Sequence, residues 1–147
     1  MNARLLNMIG SDEENTYKGG ASDRQIALAE KRLAVSFPES YRDFLRCFNG
    51  GEFTFGRMYR ISKGGAGFFD LVDEMNRASE HLAPFRERSL LLFGDDYSGS
   101  YYCLDLSNTR KRTPVVFWDR GHGEKQLPQV VALTLQDFII EGLRRNR

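Results

Sequence analysis

The sequence predicts an α+β domain built on a mostly antiparallel sheet. Three observations point there. Amphipathic helical stretches open the chain, short strand-length runs dominate its second half with one helical stretch set among them, and a last helical stretch closes it. At 147 residues the chain fits a single core, which usually serves about 100 to 200 residues.

The strongest signal is the segment Leu90–Leu106, LLLFGDDYSGSYYCLDL. Leu90–Phe93 is apolar and of strand length, Gly94–Gly99 is rich in turn formers, and Ser100–Leu106 is aromatic and apolar again. This is a hairpin or a closely spaced strand pair. Alternation in the return strand puts Tyr102, Leu104 and Leu106 on a core face and Tyr101, Cys103 and Asp105 on a half-wet one.

The other elements follow in order. Met1–Ile9 carries Leu5, Leu6, Met8 and Ile9, enough for a short amphipathic turn or helix, and Gly10–Ala21 reads as a loop. Ser22 with Gln25 three residues on forms a capping box for a helix whose stripe is Ile26, Ala29 and Leu33. Pro38 suits the first position of a second helix carrying Tyr41, Phe44, Leu45 and Phe48, and Asn49-Gly50-Gly51 stops it. Glu52–Ile61 breaks at Gly56 into one or two short strands. Phe68–Leu82 has helical spacing and Pro84 ends it. Val115–Trp118 and Gln129–Ala132 are strands, separated by a turn at Asp119–Gly123. Thr134 with Asp137 caps a final helix with Leu135, Phe138, Ile139 and Leu143 inside. The division expected is an N-terminal extension over 1–21 and a domain over 22–147.

Composition narrows function. A net charge of +1 leaves no global field to steer the chain to nucleic acid or an anionic membrane. No apolar run reaches the roughly 18 to 20 residues of a membrane span, and the start lacks a secretory stretch, so a cytoplasmic location is expected. Cys47 and Cys103 both fall in apolar patterns, where burial raises a thiol's pKa, and His81 and His122 have no metal-ligand spacing. Lys63 precedes its glycines, the reverse of a phosphate-cradling loop, and Arg110-Lys111-Arg112 reads as a solvated loop. No cofactor, metal or catalytic set is expected.

What remains is a set of turn carboxylates beside an aromatic. Asp95, Asp96, Asp105 and Asp119 all lie at or near strand ends, and four that converged would suit magnesium. The competing reading gives Asp95, Asp96 and Asp119 to their own turns as hydrogen-bond acceptors. Asp95, Asp96, Tyr97 and Asp119 are the candidate partner-binding residues.

Several blocks resemble a known family. Ile26–Glu30 with Leu33, then VSFPESYRDFL over Val35–Leu45 and Asn49-Gly50-Gly51, are similar to the N-terminal signature of the SUKH superfamily, in its Smi/Knr branch. Phe93–Asp96, Tyr102–Ser107, Pro114–Asp119 and Leu135–Phe138 resemble its central strands, tryptophan strand and closing helix. The matched order runs over about residues 22–143. The resemblance implies a non-enzymatic, protein-binding α+β domain: an immunity protein neutralising a cognate toxin, nucleases among them, or else a regulatory scaffold with a host partner. It transfers no catalytic residues.

Overall fold

The computed structural model describes residues 5, 7–9, 19–62, 67, 69–107 and 112–145. Helix α1 (Asp23–Leu33) starts on the expected capping box, with the Gln25 N–H donating to Ser22 Oγ at 3.1 Å and the Ser22 N–H to Gln25 Oε1 at 2.9 Å. Its buried stripe is Ile26, Ala29 and Leu33. The Glu30 carboxylate then ties α1 to α2 (Glu39–Cys47), accepting from the Phe37 N–H at 2.8 Å and from Arg42 Nη2 at 2.7 Å.

Pro38 sits one place ahead of the first turn, as the N-cap of α2. Tyr41, Phe44, Leu45 and Phe48 are buried, whereas Cys47 is exposed. At 3.6 residues per turn Cys47 lies about 100° around the helix from that stripe, so apolar neighbours in sequence did not mean apolar neighbours in space. The left-handed residue after α2 is Gly50, at φ 75°. Asn49 instead clasps the chain ahead, exchanging two 2.8 Å hydrogen bonds with the Ile61 backbone.

Among the described residues six strands form one antiparallel sheet in chain order: β1 (Gly51–Phe53), β2 (Gly56–Met58), β3 (Leu90–Asp95), β4 (Tyr101–Asp105), β5 (Val115–Trp118) and β6 (Gln129–Ala132). Between β2 and β3 lie α3 (Leu71–His81) and the short α4 (Ala83–Arg86), and α5 (Leu135–Arg145) closes the fold. The α+β arrangement with a mid-chain helix and a C-terminal helix is as the sequence predicts.

Two boundaries differ. Helix α3 begins at Leu71 because Phe69 is left-handed, φ 59°, and the buried Asp70 is the cap, accepting from the Asp73 N–H at 3.0 Å. The other Asp70 oxygen takes the Ser62 N–H and hydroxyl at 2.9 and 2.8 Å, so the cap also anchors the incoming loop. The predicted start at Phe68 and the Gly64–Ala66 loop lie outside the described residues. Pro84 opens α4 at its second position rather than only ending α3, where its missing N–H costs no hydrogen bond.

The second face of β4 is dry at its centre, contrary to expectation. Cys103 is fully buried, and Tyr101 packs edge-on to Phe85 of α4 at 5.9 Å, which in turn meets Trp118 at 5.5 Å. On the opposite face Phe138 of α5 meets Tyr102 at 4.7 Å and Phe93 at 5.7 Å. With helices on both faces the middle strands are apolar up to the aspartates that end them, and β3 is buried at every position. Leu5 and Ile9, ahead of the predicted domain start, are helical and fully buried in the same core.

Candidate functional site

Strand register places three turns at one end of the sheet. Phe53 pairs with Gly56, Asp95 with Tyr101, and Tyr101 with Trp118, so the turns that follow β1, β3 and β5 emerge side by side. Side chains then lash them together: the Tyr97 hydroxyl donates to the Phe53 carbonyl at 2.6 Å, and the Arg120 N–H donates to Ser100 Oγ at 3.1 Å. Asp95, Asp96, Tyr97 and Asp119 all belong to this tip. Asp105 does not, because it ends β4 at the other end of the strands, paired with Leu90, so the four carboxylates do not converge.

The three acidic residues play different parts. Asp95 is only 7% exposed, and its carboxylate accepts from the Tyr59 hydroxyl at 2.8 Å, the Tyr97 N–H at 2.9 Å and Arg57 Nη1 at 3.3 Å. It is spent inside the fold. Asp96 makes an Asx turn, taking the Ser98 N–H and hydroxyl and the Ser100 N–H on one oxygen. Asp119 accepts from the Gly121 N–H at 2.8 Å and faces His122 Nδ1 at 3.3 Å. Its backbone is clamped at two points by the Gln126 amide, at 2.9 and 2.7 Å.

Tyr97 is 48% exposed and left-handed, φ 69°, a conformation disfavoured for a residue with a bulky side chain. The bonds at its N–H and at its hydroxyl hold it there. Burial, with Glu52 close by, pushes its phenol above the usual tyrosine range, so it is a neutral donor at any physiological pH. Beneath it lies a group that sequence reasoning missed. The Arg57 guanidinium sits 3.5 Å from the Phe69 ring centre and 5.2 Å from that of Tyr97, and Phe69 is in turn parallel to Tyr59 at 6.4 Å. The result is a stacked column of aromatic and cation under the exposed ring. Its members come from β2, the loop before α3 and the β3–β4 turn, and no local sequence spacing announces that meeting.

Most of the tip's polar groups are hydrogen-bonded to one another, Thr54 Oγ1 and Arg57 Nε being buried without a hydrogen-bond partner, and among the described residues no group of three or more His, Cys, Asp or Glu is arranged to hold a metal ion. Burial pushes the Cys103 thiol well above its ordinary value, which suppresses the thiolate that nucleophilic chemistry requires. Among the described residues no helix is long and apolar enough to cross a membrane.

Comparison with known proteins agrees with the resemblance read in the sequence. A crystal structure of a protein from Pseudomonas syringae pv. tomato is similar in fold, with a TM-score of 0.60 over 78% of this chain and 82% of that one, at 14% identity. No curated protein matches the sequence. The SUKH model described as SMI1-KNR4 cell-wall matches residues 23–139, from the first helical residue of α1 into α5, and the chain therefore belongs to the SMI1-KNR4 family.

Proposed function

We propose that the chain is a non-enzymatic protein-binding domain of the immunity type, which neutralises a cognate toxin by direct contact through the tip of its sheet. The observation that carries this is Tyr97: a half-exposed aromatic fixed at both ends, stacked over Arg57, and flanked by the turn carboxylates Asp96 and Asp119. Aromatic anchors dominate binding energy at interfaces, and an anchor already ordered loses little entropy on association. A basic, nuclease-like cleft is the complement of that surface. Asp95 serves the site from below, by holding Tyr97 and Arg57 in place.

The second reading, a regulatory or scaffolding module with a host partner, is favoured by the cell-wall description of the family that the chain matches. Co-expression with the product of the adjacent gene separates the two. Protection by the wild type, lost on Tyr97→Ala with Asp96→Lys while the folded spectrum is unchanged, is the expected result. Failure of the wild type to bind or protect rules out the immunity reading, and protection that survives both substitutions moves the contact surface elsewhere.

A further inference from the structure

The strand order leaves β6 at one edge of the sheet, paired to β5 on one side and, among the described residues, to no strand on the other. Exposed edges offer a row of free N–H and C=O groups, and proteins commonly guard them with charge. This edge has none. Gln126–Gln136 is an uncharged stretch in a chain that is 28% charged. Its apolar side chains stand in water, with Leu127 95%, Val130 52%, Val131 43% and Leu133 58% exposed.

Beside the strand, α5 and the sheet frame an open cleft whose walls include Phe55, Tyr102, Phe117 and Phe138. Gly142 belongs to that wall because a side chain there would run into the Phe55 ring, at 2.6 Å from its Cδ1. The charged side chains lining the cleft are Glu141 and Arg145, one of each sign, 3.3 Å apart and both largely exposed.

We propose that β6 pairs antiparallel with β6 of a second copy of this chain, joining two sheets across a two-fold axis. Charge selects this occupant. In a two-fold contact the same patch meets itself, so an unbalanced charge near the axis would face its like. An uncharged strand flanked by one carboxylate and one guanidinium avoids that, since the two can exchange partners across the axis. Pro128 has no N–H to give, and the register shift opposite Val115 and Val116 leaves Val131 outside the ladder with β5. Both features confine the new pairing to a short stretch around residues 129–133, so the dimer is reversible. Antiparallel pairing also points the two tips in opposite directions, which keeps both open to partners.

Sedimentation of the full chain from roughly 10 µM to 1 mM tests this. The mass should climb with concentration from 16.9 kDa toward twice that value, and the amides of 129–133 should gain protection from hydrogen exchange in step. Val131→Lys and Leu133→Lys, each placing like charges across the axis, should weaken the dimer at least tenfold. Leu28→Lys, at an exposed site on α1, should leave it unchanged. A single-chain mass throughout overturns the proposal and leaves the edge to a strand of another protein. So does a dimer that both lysine variants retain, or one that forms without protecting 129–133.

Discussion

Arg88 donates its Nε–H to the Leu33 carbonyl at 2.7 Å across 55 residues of chain. The same guanidinium reaches the Ser79 hydroxyl and the Phe85 carbonyl, both at 2.8 Å, so one side chain joins the end of α1 to α3 and α4. To do so Arg88 adopts φ 63°, the left-handed region. Arg88→Ala should lose about 2 to 4 kcal/mol, since it strips three charge-assisted bonds and takes from the Leu33 carbonyl its partner across the chain. Arg88→Gly removes the same bonds but tolerates the backbone, and should be milder by about 1 kcal/mol. Urea denaturation of the two variants gives the comparison, and equal losses would mean the backbone conformation carries no cost.

Asp70 holds two segments at once, as cap of α3 and anchor of the Ser62 loop. Asp70→Ala should cost about 2 to 4 kcal/mol, more than the roughly 1 kcal/mol typical of a lost cap, because buried donors are orphaned as well. Asp70→Asn should recover part of it. A loss near 1 kcal/mol in thermal melts would show that the Ser62 bonds contribute little.

Tyr59 and Asp95 meet in a buried setting that burial and then the carboxylate itself push toward a neutral phenol, well above the usual range. Tyr59→Phe should cost about 1 to 2 kcal/mol. A double-mutant cycle with Asp95→Ala should return a coupling of about 1 kcal/mol or more, and additive losses would deny the link. Charge reversal at Asp95 should unfold the tip, so it is unsuited to mapping a contact.

Burial holds the Glu74 carboxyl above its ordinary value of 4.5, with Arg77 opposing and Asp95 and Asp73 adding to the effect. The folded chain therefore keeps this proton more tightly than the unfolded chain. Stability falls as pH rises from the unfolded pKa to the folded one, and stays lowered above both. Glu74→Gln should melt higher than the wild type at pH 7, and the gain should vanish by about pH 3, where both states are protonated. A gain that persists unchanged in acid would assign it to something other than ionisation.

Tyr97→Gly gives up one hydrogen bond to Phe53 and the ring's contact with Arg57 but relieves a left-handed side chain, so stability should move by no more than about 1 kcal/mol. Loss of the ring should weaken the proposed toxin complex by about 2 kcal/mol or more, read by calorimetry. Equal affinities would remove Tyr97 as the anchor.

The helix starts at Ser22 and Thr134 were legible because their caps are local: acceptor and donor lie three residues apart. Asp70 was not, because the apolar rhythm of Leu71, Val72 and Met75 runs back through Phe68 and hides the break. Among the site residues, Asp96 and Asp119 make the turns that their sequence suggests. The burial of Asp95 was illegible, since Tyr59 and Arg57 lie 36 and 38 residues away and only the pairing of β2 with β3 brings them together. Cys103 is buried as its apolar neighbours suggest, although its face was expected to be half-wet, and Cys47 is exposed: a strand buried on both faces forgives an error of phase that a helix does not.

The chain-order pairing of β1 to β6 has a consequence for synthesis. Every strand finds its neighbour in the strand made just before it, so a nascent polypeptide can extend the sheet as it leaves the ribosome without waiting for distant sequence. Until α5 arrives, Tyr102 and Phe93 lack the Phe138 ring that covers them, and that interval is when the growing molecule is most exposed to misassociation.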